Sequence, residues 1–121
     1  MNVLVWVGVM LIGGAGSVVR FLADGLVASA AGRDFPVGTL AVNASGAVIL
    51  GLITGLALGH DQALLTDTAA VGSYTTFSTW ILETQRLAED RQHGKAAANV
   101  VASLALGVAA AALGRLIGAH L

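Results

Sequence analysis

The sequence predicts an all-α integral membrane protein of four transmembrane helices with a break in the third, and three observations carry that expectation. Only 11% of the residues are charged, against roughly 25% in a soluble domain, and the mean hydropathy is +0.83. Residues 1–19, 37–59 and 96–114 contain no charged side chain. In the middle of this apolar chain stands Gly72-Ser73-Tyr74-Thr75-Thr76-Phe77-Ser78-Thr79-Trp80, in which six of nine residues carry a hydroxyl.

A bilayer core about 30 Å thick is crossed by roughly 17–25 helical residues. The first helix is expected over 2–28, running on past Arg20, and the second over the charge-free 37–59. Between them "AGRDFPVG" holds the single proline, Pro36, and reads as a loop. The segment "HDQALLTD" reads as a second loop. The third helix is placed at 68–87, because run 68–82 is too short and too polar for an ordinary span. The fourth is placed at 95–119. Together they form one small membrane domain in the lipid bilayer. The N-terminal stretch lacks a basic region and runs on without a stop, unlike a cleavable signal. With no cysteine, disulfides and thiolate metal sites are absent, and a net charge of −1 argues against nucleic acid as a partner.

Taken every fourth residue, the second helix gives Thr39, Asn43, Ala47, Gly51, Gly55 and Gly59, and the fourth gives Asn99, Ser103, Gly107 and Ala111. In lipid, apolar side chains gain little by leaving acyl tails for another helix, so association depends on close backbone approach and interhelical hydrogen bonds. Stripes of small residues mark such faces, and "GGAGS" (13–17) in the first helix adds another. The glycines therefore read as packing residues. Asn43 reads differently, because a carboxamide in an apolar span needs partners and lines polar cavities. Four helices enclose little room, so an oligomer is expected, with the polar route at or near its interface.

Gly72 to Thr76 combines a flexible residue with hydroxyls that compete for backbone hydrogen bonds, which predicts a helix break there. Irregular backbone at membrane depth survives only where it is buried or lines a watery cavity. A break also frees carbonyl oxygens of the kind that hold hard cations such as Na+. Phe77 and Trp80, at i and i+3, share a face, and Ser78 and Thr79 place O–H donors beside them. Donors without fixed charge suit a small anion, and aromatic ring edges are electropositive. The same aromatic pair also reads as core packing. Arg20 either snorkels to the interface or serves an anion vestibule, and Glu83 either pairs with Arg86 at a helix end or lines that vestibule.

"GSYTTFSTW" resembles the GGxTTFSTF signature of the Fluc (CrcB) family of fluoride channels. "GGAGSVVRF" (13–21) resembles the family's first-helix GGxxGAxxRY, and "VGTLAVNASGAVILG" (37–51) its second-helix xGTLxVNxxGxFxxG. The resemblance covers nearly the whole chain and implies an antiparallel dimer with two fluoride pathways and one central structural Na+ that is not transported. It implies that the carbonyls of Gly72 and Thr75 bind the Na+ and that Phe77 and Asn43 contact fluoride. Ser78 and Thr79 match the family's polar track, Glu83 and Arg20 its vestibule positions, and Ser103 lies on the matching stripe of the fourth helix. Trp80 stands where the family usually has phenylalanine, Ser73 where glycine is frequent, and Tyr74 where the residue is apolar. The indole is larger and carries an N–H, so it is expected to narrow the pathway or bind the ion too strongly. The function implied is passive export of cytoplasmic fluoride across the plasma membrane.

With four spans, Arg33, Arg86, Arg91 and Lys95 share one side, and Arg115 alone is on the other. The positive-inside rule then puts the basic loops in the cytoplasm and both termini outside. Four against one is a strong bias for a chain that must insert both ways to dimerise with itself. A homologous subunit of opposite orientation is the favoured partner, with self-pairing the other arrangement. Two rival functions differ in class. A small multidrug antiporter needs an intramembrane carboxylate, but the first helix has no acid before Asp24 and Asn43 is neutral. A non-conducting or half-active subunit that supports a partner channel is suggested by Trp80. An enzyme is not expected. His60, His93 and His120 read as solvated loop or terminal residues, and Asp61, Asp67, Glu89 and Asp90 as loop charge.

Overall fold

The computed structural model describes residues 2–32 and 34–121, and among these every regular element is helical. Arg33, one of the basic residues counted above, lies outside the described residues. Helix α1 (Val3–Ala31) starts at Asn2, whose Oδ1 accepts the Val5 N–H at 3.0 Å. It ends at Gly32, where φ of 84° suits glycine and the N–H reaches Ala28 O at 2.8 Å. Helix α2 (Val37–Leu56) stops short of residue 59 at Ala57, which takes the left-handed conformation.

The third helix departs most from expectation. It begins at His60, so "HDQALLTD" is helix and not loop. His60–Ala63 is α-helical, Leu64–Val71 winds as a π-helix, and Gly72–Tyr74 returns to α; these form α3 (60–74). Asp61 sits in its first turn, where the helix dipole favours a carboxylate, so the polarity that suggested a loop marks a helix start. Asp67 belongs to the π segment, with Oδ1 buried and without a hydrogen bond. The break lies at residues 75–77, in the C-terminal part of the expected Gly72 to Thr76 and one residue beyond it, and α4 (Ser78–Glu89) follows it. Arg91, left-handed at φ 60°, turns the chain into α5 (His93–Ala119), which makes His93 a helix-start residue.

Helices α1, α2 and α5 are each long and apolar enough to cross a membrane, and the bent α3–α4 segment accompanies them in a multi-pass membrane fold. The most extensive contact joins α2 to α5. A Cβ on Gly51 would overlap the Ala111 carbonyl, one on Gly114 the Val48 carbonyl, and one on Gly118 the Leu52 carbonyl. Gly55 sits 2.6 Å, at its would-be Cβ, from Arg115 O. The α5 contact face is thus Ala111, Gly114 and Gly118. Gly107 from the expected stripe faces open space, and Gly59 meets only Gln62. Within "GGAGS" of α1, Gly13 and Gly14 are also open, and only Gly16 is closely approached, by Ser73 and Ala70. Helix α3 packs along α1, whereas α4 packs against α5, so the break is where the chain changes partner.

Gly114→Val should destabilise the fold by about 3 kcal/mol, because its methyls must enter the backbone of α2. The measurement is thermal unfolding in detergent. Gly107→Ala, which meets nothing, should be neutral or stabilise by up to about 1 kcal/mol.

Candidate functional site

Thr75 leaves the helix with ψ of 162°, and Phe77 re-enters it at φ −91°, ψ −44°. The Asn43 carboxamide of α2 covers the exposed peptide between them. Its Oδ1 accepts the Thr76 N–H at 2.8 Å, and its Nδ2 donates to Thr76 O at 2.8 Å. This paired geometry defines the carboxamide's orientation and uses one of its two N–H donors. Thr76 Oγ1 then accepts the Thr79 N–H at 3.2 Å, capping α4. Thr75 and Ser73 return their hydroxyls to carbonyls of the preceding turn, at Val71 and at Ala69 and Ala70. Tyr74 Oη meets Ser45 Oγ at 2.9 Å. The hydroxyls of Ser78 and Thr79 have no hydrogen-bond partner among the described residues.

The two carbonyls expected to hold a cation sit at this break. With the Thr76 N–H engaged by Asn43, the Gly72 carbonyl loses the i+4 donor that a continuous helix would supply. The Thr75 carbonyl accepts Arg20 Nη1 at 3.4 Å, which occupies one of its two lone pairs. Arg20 thus reaches across from α1 to the break itself.

Two spaces border the break, and a third adjoins one of them through Asp24. A groove of about 310 Å³ is lined by Asn43, Thr75, Thr76, Phe77, Trp80 and Ser103 with apolar neighbours, and it holds no charged side chain. Its Ser103 Oγ is buried without a hydrogen-bond partner, and Phe77 is 70% exposed. The Phe77 and Trp80 rings meet edge to face, with centroids 5.4 Å apart at 71°. An inner cleft of about 160 Å³ contains Arg20, Asp24, Thr39, Thr76 and Thr79. A mouth of about 370 Å³ contains Asp24, Asp34, Glu83, Arg86 and Asp90. Asp24 belongs to both mouth and cleft, and Thr76 to both cleft and groove.

The structure therefore brings Asn43, Phe77, Trp80 and Ser103 together, with Thr79 across Thr76 from them and Glu83 at the mouth. Ser78 is exposed and lines none of the three spaces. The indole N–H of Trp80 donates to Asn99 O at 3.3 Å, which leaves the narrowing of the pathway, and not tight binding through this N–H, as the alternative its geometry favours. Sequence reasoning missed Thr76 as the centre of the break and Asp24 as the residue joining mouth to cleft. Asp24 carries one usable signal, its place four residues after Arg20 on the same face of α1.

Residues 7–115 match the family model described as CrcB-like protein, Camphor Resistance (CrcB). The chain is 63% identical over 114 residues to the fluoride-specific ion channel FluC 2 of Mycolicibacterium paratuberculosis, covering 94% of this chain and 93% of that one. It is 61% identical over 117 residues to FluC 2 of Mycobacterium tuberculosis, covering 97% and 93%. It is 48% identical over 108 residues to FluC 1 of Rubrobacter xylanophilus, covering 88% and 86%.

Replacing Asn43 with leucine leaves the Thr76 N–H and C=O without partners at membrane depth, at a cost of about 1–3 kcal/mol each. Amide hydrogen exchange at residues 75–79 should accelerate at least tenfold, with little change in α5.

Proposed function

Because the chain belongs to the CrcB family, we propose that it is a subunit of a fluoride-selective channel that lets cytoplasmic fluoride leave passively across the plasma membrane. The relatives are named as channels and not as enzymes, and the reading is of transport without catalysis. The observation that carries it is the uncharged groove beside the break. Its remaining Asn43 N–H, its unpartnered Ser103 hydroxyl and its aromatic edges offer neutral donors to a small anion. A fixed positive charge there would hold the ion; neutral donors replace part of its hydration and let it go. Chloride, larger and more weakly hydrated, gains less from closely set donors.

The groove is open on one side, with Phe77 largely uncovered in an apolar belt. A second subunit closing over it supports the dimer reading, in antiparallel arrangement. The freed Gly72 carbonyl and the second lone pair of the Thr75 carbonyl suit a hard monovalent cation, and they lie at the negative C-terminal end of α3. Two oxygens from one chain are too few for Na+, so the reading places a structural Na+ between subunits. Such an ion would tie the two breaks together electrostatically and take no part in permeation. The basic bias of one face favours a homologous partner of opposite orientation over self-pairing.

Purified protein in liposomes should release fluoride and not chloride when the membrane is made permeable to a counter-ion. Absence of fluoride efflux from this chain, both alone and with an oppositely oriented homologous subunit, would overturn the reading. Phe77→Ile should lower efflux at least tenfold with the fold intact. Replacing Na+ by N-methyl-D-glucamine during purification should lower the melting temperature of the dimer; an unchanged value would remove Na+ from the proposal. Tags at both termini should report one predominant side, and equal populations would restore self-pairing.

A further inference from the structure

Trp80 brings an N–H to a groove otherwise furnished with weaker or partly engaged donors, and the structure shows where that N–H goes. It donates at 3.3 Å to the backbone carbonyl of Asn99, a residue only 1% exposed and absent from the groove lining. Two further bonds hold this carbonyl opposite the indole. Asn99 Nδ2 donates to Thr84 Oγ1 at 2.8 Å, and Thr84 Oγ1 donates to the backbone carbonyl of Trp80 itself at 2.9 Å. The result is a closed relay running from the Trp80 ring through Asn99 and Thr84 to the Trp80 main chain. It joins the first turns of α4 to α5. The ring also abuts Phe77 edge to face, so it is held on two sides.

We propose that Asn99 and Thr84 are positioning residues that keep the Trp80 N–H turned out of the groove, so that the ion meets the carbon edge of the indole and not its hydrogen-bond donor. This rests on the reading of the groove as a fluoride route. An indole N–H is a strong neutral donor, and hydrogen bonds to a charged partner are worth about 1.5–3 kcal/mol. Released from Asn99, it would add one such bond to fluoride and slow the ion's departure by roughly tenfold or more. Engaged, it makes tryptophan behave as a broad hydrocarbon edge. Thr84 is the key member, because its hydroxyl accepts from one helix and donates to the other. Removing it leaves the Asn99 carboxamide without that partner in a buried site and frees the register between α4 and α5.

The test uses the full chain with Trp6→Phe, which leaves Trp80 as the sole tryptophan. The 15N–1H resonance of its indole is followed in detergent during NaF titration. The expected result is a hydrogen-bonded resonance that fluoride does not move. In Thr84→Val the resonance should shift toward the unbonded range and respond to fluoride, and Thr84→Ser should restore the parent behaviour. A fluoride-dependent indole shift in the parent, or an unmoved resonance in Thr84→Val, would overturn the proposal. Asn99→Leu repeats the comparison should Thr84→Val fail to fold, and the parent titration needs no substitution beyond Trp6→Phe. In liposomes, Thr84→Val should slow fluoride efflux about tenfold, yet by less than about twofold when combined with Trp80→Phe. Equal slowing in both backgrounds would mean that Thr84 serves the fold alone and would defeat the inference. A parent that shows the bonded indole but no efflux, with or without a partner subunit, would count against the channel reading and leave the anchored N–H standing as a structural result.

Discussion

The structure depends on one side chain standing in for a strand of backbone. A helix interrupted at bilayer depth exposes peptide groups that no water can reach, and each unsatisfied group costs several kcal/mol. Asn43 presents a planar acceptor and donor with the spacing of a peptide group, and it takes both the N–H and the C=O of Thr76 at 2.8 Å. A hydroxyl offers no such two-point match. With Thr76 satisfied from α2, the chain can leave α3 at Thr75 and re-enter a helix at Ser78 without orphaned groups at its centre. The same pairing removes the donor from the Gly72 carbonyl, so the device that tolerates the break also creates its free oxygen.

That device works only because α2 is held rigidly and close. Its glycines interlock with the backbone of α5, which fixes the depth and rotation of Asn43. One turn further along the same face is Gly46, where any Cβ would overlap the methyl of Thr75. Residues 43 and 46 therefore act together: one reaches out to Thr76, and the other withdraws so that Thr75 can lie against the helix. The change of partner follows from this geometry. Helix α3 remains on α1, where Gly16 admits Ser73, while α4 is free to swing onto α5 and carry Trp80 to Asn99.

What could be read from the sequence divides along the range of the forces involved. Apolar runs report membrane helices because lipid excludes charge over a whole span, and α1, α2 and α5 appear within a few residues of expectation. The break falls within the expected Gly72 to Thr76 but only from Thr75 on, because Gly72 and Ser73 weaken a helix locally whereas the deciding contact comes from Asn43, far away in the chain. Of the expected α5 stripe, Asn99, Ser103 and Ala111 face inward and Gly107 does not, because steps of four residues drift by about 40° each on a 3.6-residue helix. The real face advances from Ala111 by three and then four residues to Gly114 and Gly118. Asn43 was legible as a groove residue because a carboxamide in an apolar span needs partners, whereas Phe77 and Ser103 were singled out by the family resemblance. The partner of the Trp80 N–H was not, since a backbone carbonyl is offered by every residue type.

The hydroxyl-rich segment acquires a division of labour from these contacts. Ser73, Tyr74, Thr75 and Thr76 secure the end of one half-helix and the start of the next. Only after that does the groove beyond them have donors to spare, at Asn43 and Ser103. The permanent positive charge near the break, Arg20, lies in the cleft and points at the Thr75 carbonyl, on the other side of Thr76 from Ser103 and Trp80. In a low-dielectric interior a charge acts over several ångströms, so on the proposed reading Arg20 would lower the energy of an anion in the groove without contacting it, with Asp24 in the same cleft offsetting part of the effect. An anion drawn by a displaced cation and held by neutral donors has a favourable place to stop but no ion pair to break on leaving. On the proposed reading attraction and release fall to different residues, which is the separation that a passive anion route requires.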